Sequence, residues 1–375
     1  MKKIIVISGS TGGGHVSAAN SIQLYAEKMF SQKVQVTHID VIKYMSPFFK
    51  KVYADTYIKM IKYFPSIFGF LYKFTDHGKN KKVILSEMRY HFEEFFSKKF
   101  KKVIKKYNPD YIIFTHFLPA EHLNKTVLKN KYANKYAVVV TDFDVHSLWV
   151  QENMDLFFVA NEESALRLAS KGIDKNKIYV TGIPIAPEFA EQYDKEKIKA
   201  ELSLSPKLDT VLLMTGAYGI GRVDFFTEHL FESIDKEFQL IALTGKNEKL
   251  AESLEKIEAK YPGKIKTVGF TNEVYKYMAA CDFAVTKTGG LTTSECLAMG
   301  LPIITLNPIP GQEGKNTSYL LENGAALKTD DVLGLTYRVQ KLLNDKELLA
   351  RMQENARRIA NPNAAENILN IVLKG

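Results

Sequence analysis

Short apolar runs rich in isoleucine, valine and phenylalanine recur along the whole chain, and stretches of helical pattern separate them. In the first half these runs are Ile4-Ile-Val-Ile7, Val34 to Ile39, Tyr111-Ile-Ile-Phe-Thr115, Tyr136 to Thr141, Leu156-Phe-Phe-Val159 and Ile178-Tyr-Val180. The second half repeats the pattern with Thr210 to Met214, Phe238 to Leu243, Ile265 to Val268, Phe283 to Thr286, Pro302 to Leu306 and Ala325-Ala-Leu327. Strands that are apolar throughout are buried on both faces, and helices between them imply a parallel sheet covered on both sides. A chain of 375 residues is long enough for two such domains, each with its own core. The stretch from Gly182 to Pro206 is rich in proline and charge and reads as the linker. Two Rossmann-like α/β domains are therefore predicted, over residues 1–187 and 188–375. Towards the end, Leu342 to Ala360 reads as one charged helix, and Ala364 to Leu373 as an amphipathic helix after the break at Asn361-Pro-Asn363.

In such domains ligands bind beyond the carboxyl ends of the strands, and the informative motifs fall there. Phe283-Ala-Val-Thr286 leads into Lys287-Thr-Gly-Gly-Leu-Thr-Thr-Ser-Glu295, a strand, a glycine turn and a helix start. Free N–H groups on the backbone of Gly289, Gly290, Leu291 and Thr292, with the helix dipole behind them, suit a phosphate. One helical turn on, Glu295 can reach a ribose diol. After the next strand, Gln312, Glu313 and Asn316 offer further donors and acceptors. A diphosphate flanked by two sugars, a sugar nucleotide, is the ligand this set fits.

In the first half, Thr11-Gly-Gly-Gly-His15 follows the first strand and sets His15 at a helix N-terminus. That position disfavours imidazolium, and a neutral ring can take a proton from an attacking hydroxyl. Thr141-Asp-Phe-Asp144 contains an Asp-x-Asp pattern of the kind that binds divalent metal in some transferases, although such pairs also arise by chance. Thr215-Gly-Ala-Tyr-Gly-Ile-Gly221 holds three glycines but does not match the G-x-G-x-x-G spacing of a dinucleotide fingerprint.

The net charge of +9 is unevenly placed: residues 43–106 carry 16 Lys or Arg against 5 Asp or Glu. The same segment holds Phe48, Phe49, Tyr53, Tyr57, Tyr63, Phe64, Phe68, Phe70, Tyr72, Phe74, Phe92, Phe95, Phe96 and Phe100, and it ends in the run Lys98, Lys99, Lys101, Lys102. Aromatics interleaved with lysines suit an anionic lipid surface. A nucleic-acid surface is the competing reading, and no RNA-recognition motif, helix-turn-helix signal or zinc finger supports it. Core helices with solvated lysines account for part of the pattern. No apolar stretch approaches the roughly 20 residues that cross a bilayer, and the short run after Lys2-Lys3 reads as a first strand rather than a signal peptide. Cys281 and Cys296 sit in apolar segments and read as buried thiols of a reducing compartment.

The motifs named above, with His146, Trp149 and Thr181-Gly-Ile-Pro184, resemble in order those of the processive diacylglycerol glucosyltransferases and monogalactosyldiacylglycerol synthases. A more distant likeness is to the bacterial transferase that adds N-acetylglucosamine to the lipid-linked peptidoglycan precursor. The resemblance spans nearly the whole chain. It implies a GT-B fold with a cleft between the domains and a last helix that returns to the first. It implies inverting transfer of a hexose, glucose or galactose, from a UDP-sugar to diacylglycerol, with no metal or other cofactor. It implies His15 as the base, Asp142 beside it orienting His15 or meeting the acceptor, and His146 and Trp149 near the lipid headgroup. It also implies Gly216 facing the diphosphate, Phe270 over the uracil and Thr271 bonding it through the backbone. Such an enzyme is expected to be a peripheral protein of the cytoplasmic face of the membrane, with no nucleic-acid partner. Two alternatives remain: a UDP-N-acetylglucosamine 2-epimerase, which keeps the fold and changes the reaction, and a non-catalytic UDP-sugar sensor.

Overall fold

A computed structural model describes residues 1–10, 13–44, 98–127, 133–214, 223–306, 308 and 311–374. Among the described residues, twelve strands form two parallel six-stranded sheets. The described chain falls into two compact units: residues 1–187, 309–315 and 361–375, and residues 188–308 and 316–360.

The first unit contains β1 (Lys2–Ser8), α1 (Gly13–Met29), β2 (Val34–Asp40), α2 (Lys98–Tyr107), β3 (Tyr111–Phe114), α3 (Phe117–Val127), β4 (Lys135–Val139), β5 (Leu156–Val159), α4 (Glu162–Ser170) and β6 (Ile178–Val180). Its sheet runs in the order β2-β1-β3-β4-β5-β6. Ile4 to Ile7 lie opposite Tyr111 to Phe114 on one side and Val36 to Ile39 on the other. Apart from the half-buried Thr37 and His38, these residues are buried because helices cover both faces of the sheet. Strand order reverses between β1 and β3, so the chain leaves their carboxyl ends towards opposite faces and opens a crevice there.

The second unit contains α5 (Lys195–Glu201), β7 (Asp209–Met214), α6 (Val223–Ser233), β8 (Phe238–Leu243), α7 (Glu248–Lys260), β9 (Ile265–Val268), α8 (Val274–Ala280), β10 (Phe283–Thr286), α9 (Gly290–Ala298), β11 (Ile303–Leu306), most of α10 (Gln312–Glu322), β12 (Ala326–Thr329), α11 (Val332–Asn344) and α12 (Lys346–Ile359). Its sheet, β12-β11-β10-β7-β8-β9, has the strand order of a dinucleotide-binding domain, with the reversal between β7 and β10. The glycine motifs at 215–221 and 288–290 follow those two strands.

One expectation needs correction. The single charged helix over Leu342 to Ala360 is two helices, because Asp345 ends α11 and caps α12, accepting the N–H of Leu348 at 2.9 Å. A short polar side chain that takes up a free N–H resets the helix at that point. The linker stretch also holds a helix of its own, α5, capped by Asp194.

After α12 the chain re-enters the first unit as α13 (Ala364–Lys374), which packs on α1 and buries Ala365, Ile368, Leu369 and Val372 in the same core as Ile4 and Val6. Gly182 permits this return. Its φ is +89°, and a Cβ there would lie 2.3 Å from that of Asn361. Of the basic aromatic segment, residues 43, 44 and 98–106 are described, so the aromatics from Phe48 to Phe96 lie outside the described residues. On α2, Ile104 is buried in the core while Lys102, Lys105 and Lys106 are exposed. The side chains of Lys98, Lys99 and Lys101 are outside the described ones. Among the described residues no helix is long and apolar enough to cross a membrane.

Candidate active site

At the switch point of the first sheet, His15 enters from the first turn of α1 and meets the end of β3. Its Nδ1 lies 2.8 Å from the carbonyl oxygen of Thr115 and 2.9 Å from the Thr141 hydroxyl. A carbonyl can only accept, so Nδ1 carries the hydrogen and Nε2 carries the lone pair. Thr115 returns the hold, its hydroxyl donating to the His15 carbonyl oxygen at 2.8 Å. Burial among the packed atoms around the ring pushes the pKa of His15 down to about 4, against a small upward pull from the Thr115 carbonyl. The ring is therefore neutral at physiological pH, with burial the largest cause. His116 stands edge-on to it, with ring centroids 4.5 Å apart, and Trp149 lies 6.1 Å away.

Asp142 is not one of the groups at Nδ1, which Thr115 and Thr141 occupy. Its carboxylate accepts instead from the Gln312 amide, which brings together two residues the sequence suggested for different tasks. Asp144 pairs with Arg167 at 2.9 Å and Lys315 at 3.6 Å. The Asp-x-Asp carboxylates thus go to separate partners. Among the described residues no group of three His, Cys, Asp or Glu side chains is placed to hold a metal. The loop between them is fixed by Asn161, which caps α4 and donates to the Phe143 carbonyl at 2.9 Å. His146 is buried, and its Nδ1 accepts the Leu148 N–H at 3.2 Å. Trp149 is only 2% exposed and belongs to the core.

In the second unit, Gly289 is the N-cap residue of α9 and makes no side-chain cap hydrogen bond to the N–H groups of its first turn. Asn316 is fully buried and donates to the Thr288 carbonyl at 2.8 Å, while the Thr288 and Thr317 hydroxyls are 2.8 Å apart. Asn316 therefore holds the glycine turn against α10. Leu291 is buried, whereas Thr292 and Glu295 are half-buried. Burial pushes the Glu295 carboxyl up to about 8. Phe270 is 64% exposed, with the Lys246 ammonium 5.1 Å from its ring centroid, and the Thr271 hydroxyl accepts the Glu273 N–H at 3.0 Å. Glu313 lies in the first turn of α10. Gly216 lies outside the described residues. Both cysteines are free and buried.

Sequence reasoning passed over Thr115, His116 and Asn161. The first two directly follow an apolar strand beside the switch point, and that position was the available signal.

Residues 15–185 match the family model described as monogalactosyldiacylglycerol (MGDG) synthase, and residues 228–359 match glycosyl transferases group 1. A processive diacylglycerol beta-glucosyltransferase of Bacillus licheniformis is 29% identical, over 100% of this chain and 95% of the relative. A probable monogalactosyldiacylglycerol synthase 3, chloroplastic, of Oryza sativa subsp. japonica is 33% identical over 98% of this chain and 73% of that protein. Among solved structures, the UDP-GlcNAc 2-epimerase of Neisseria meningitidis bound to UDP-GlcNAc covers 100% of both chains with a TM-score of 0.61, and at 13% identity it speaks for the fold alone. The two parallel sheets, each reversing its strand order, and the group 1 transferase match give the fold as GT-B. With its motifs set at both switch points and its whole length shared with these relatives, the chain belongs to the monogalactosyldiacylglycerol synthase family of glycosyltransferases.

Proposed function

We propose that this protein transfers a hexose from a UDP-sugar to the free hydroxyl of diacylglycerol, giving a β-glycosyldiacylglycerol, and that it can extend its product by a further sugar. The observation that supports this most is kinship along the full length, to relatives named for that transfer. In the proposed step the acceptor oxygen attacks C1 of the sugar with inversion. Its proton passes to Nε2 of His15, while the bond from C1 to the diphosphate oxygen breaks and UDP leaves with the electron pair. Nε2 suits the role because Thr115 fixes the hydrogen on the other nitrogen.

Charge growing on the departing diphosphate would fall on the backbone N–H groups of Gly289, Gly290, Leu291 and Thr292 and on the dipole of α9, an arrangement that calls for no metal. Glu295 is assigned to the ribose, Phe270 and the Thr271 backbone to the uracil, and Gln312 and Glu313 to the sugar. Gly216 is assigned to the diphosphate, Asn316 to holding the turn, and Asp142 to anchoring Gln312. His146 and Trp149 would shape the acceptor side from within the core. The cationic face of α2, with Lys98, Lys99, Lys101 and Lys102, would rest on anionic lipid at the cytoplasmic face of the membrane as a peripheral contact.

The test is incubation of the purified protein with diacylglycerol vesicles and UDP-glucose, UDP-galactose or UDP-N-acetylglucosamine in turn. Lipid products are then identified by mass, and the anomeric configuration by NMR. A β-hexosyl lipid is expected. An epimerised UDP-sugar with no lipid product would replace this reading with the epimerase one.

A further inference from the structure

His116 is the one ring in contact with His15 for which the motifs suggested no function, and its own surroundings hold it still. It is 2% exposed. Its Nδ1 accepts the Leu118 N–H at 3.1 Å, so it caps the start of α3 and carries its hydrogen on Nε2. Phe117 stacks on it at 4.6 Å, with 24° between the planes. Behind it is Gly9, where a Cβ would come within 3.3 Å of the His116 Cγ, so any larger residue at position 9 would press on the ring. The edge of this clamped ring meets His15 at 4.5 Å and 71°.

The two hydrogen bonds to Thr115 and Thr141 fix where Nδ1 of His15 sits. Both bonds end on one atom, so they leave the ring free to tilt about it. An edge-to-face neighbour removes that freedom, because tilting His15 would drive it into a ring that cannot yield. The direction of the lone pair on Nε2 is what a base depends on, and small misplacements of a reacting group are costly.

We propose that His116 is a positioning residue for His15, its clamped ring setting the tilt of the His15 imidazole and so the direction in which Nε2 takes the acceptor's proton. The proposal rests on His15 being the base. Burial keeps His116 neutral, well below the usual histidine range, with the neighbouring His15 pushing it the same way. It can therefore brace His15 without a positive charge that would oppose proton uptake.

Two substitutions in the full-length protein separate bracing from capping. His116→Asn keeps an oxygen to accept the Leu118 N–H and removes the ring. His116→Phe keeps a ring of similar shape and removes the acceptor. The Asn variant should fold normally and lose about 10- to 100-fold in kcat, with KM for the UDP-sugar within about twofold. The Phe variant should melt earlier but transfer at a rate within about threefold of wild type per folded molecule.

The direct readout is the ring nitrogen spectrum of His15 in ¹⁵N-histidine protein, assigned by its loss in His15→Gln. Wild type and His116→Phe should show one sharp Nδ1–H form, and His116→Asn a broadened or mixed one. An unchanged His15 spectrum and rate in His116→Asn would overturn the proposal while leaving the base assignment standing. A mixed spectrum with an unchanged rate would overturn the base assignment, and the proposal with it.

Discussion

Replacing Glu295 by Gln should change how the stability of the protein depends on pH. Burial raises the carboxyl from an ordinary value of 4.5 to about 8. The folded state then holds its proton over a range in which the unfolded chain has released it. A group with a raised carboxyl pKa destabilises the fold as pH rises, beginning above the unfolded pKa and continuing through the folded one. Each unit is worth about 1.36 kcal/mol, so with these two values the destabilisation is about 0.8 kcal/mol at pH 5 and about 4 kcal/mol at pH 8. Glu295 is only half-buried, and solvent screening brings the expected change between pH 5 and pH 8 down to about 1–3 kcal/mol. Glutamine has the same shape and nothing to titrate. In urea unfolding followed at both pH values, wild type should weaken relative to Glu295→Gln by that amount as pH rises. Parallel behaviour of the two proteins would show that the carboxyl titrates normally and that its surroundings are misjudged. The same side chain is assigned to the ribose, so Glu295→Ala should weaken UDP binding by about 0.5–1.5 kcal/mol in calorimetry at neutral pH, where the carboxyl keeps its proton. Unchanged affinity would remove it from the donor site.

His15→Ala should slow single-turnover transfer by roughly 10²–10⁴-fold while donor affinity stays near normal, and near-normal transfer would end its role as base. With the His15 pKa at about 4 in the folded protein, the acid limb of kcat/KM should lie well below the ordinary histidine value of 6.5, and a limb near 6.5 on folded protein would contradict the burial of the ring. Replacing Lys98, Lys99, Lys101 and Lys102 together by Ser should cost about 1 kcal/mol per lysine in binding to anionic vesicles and little on neutral ones. Equal binding to both by the variant and wild type would make α2 a core helix only. Transfer should persist in EDTA, and loss of activity restored by Mn²⁺ would reassign Asp142 and Asp144 as metal ligands.

Much of this molecule is legible in the chain itself. Strand positions such as Ile4 to Ile7 and Phe283 to Thr286 announce themselves because a strand buried on both faces must be apolar at every residue. The glycine turn before α9 and the capping asparagines and aspartates are equally local, since backbone angles and free N–H groups set their chemistry within a few residues. Sequence order also places motifs at the carboxyl ends of strands, and that position alone makes His15 and Glu295 candidates.

What only the tertiary structure decides is which groups meet. Thr115 and Thr141 reach the same nitrogen of His15 across 100 and 126 residues of chain, and no spacing rule anticipates such a pair. Gln312 reaches Asp142 across 170 residues. The burial that holds His15 neutral and Glu295 protonated is likewise a property of the assembled packing, because a pKa records the atoms that surround a group rather than its neighbours in sequence. Trp149 and Asn316 show the same limit. Sequence marked both as important, and packing buries both, Trp149 in the core of the first unit and Asn316 against the Thr288 carbonyl.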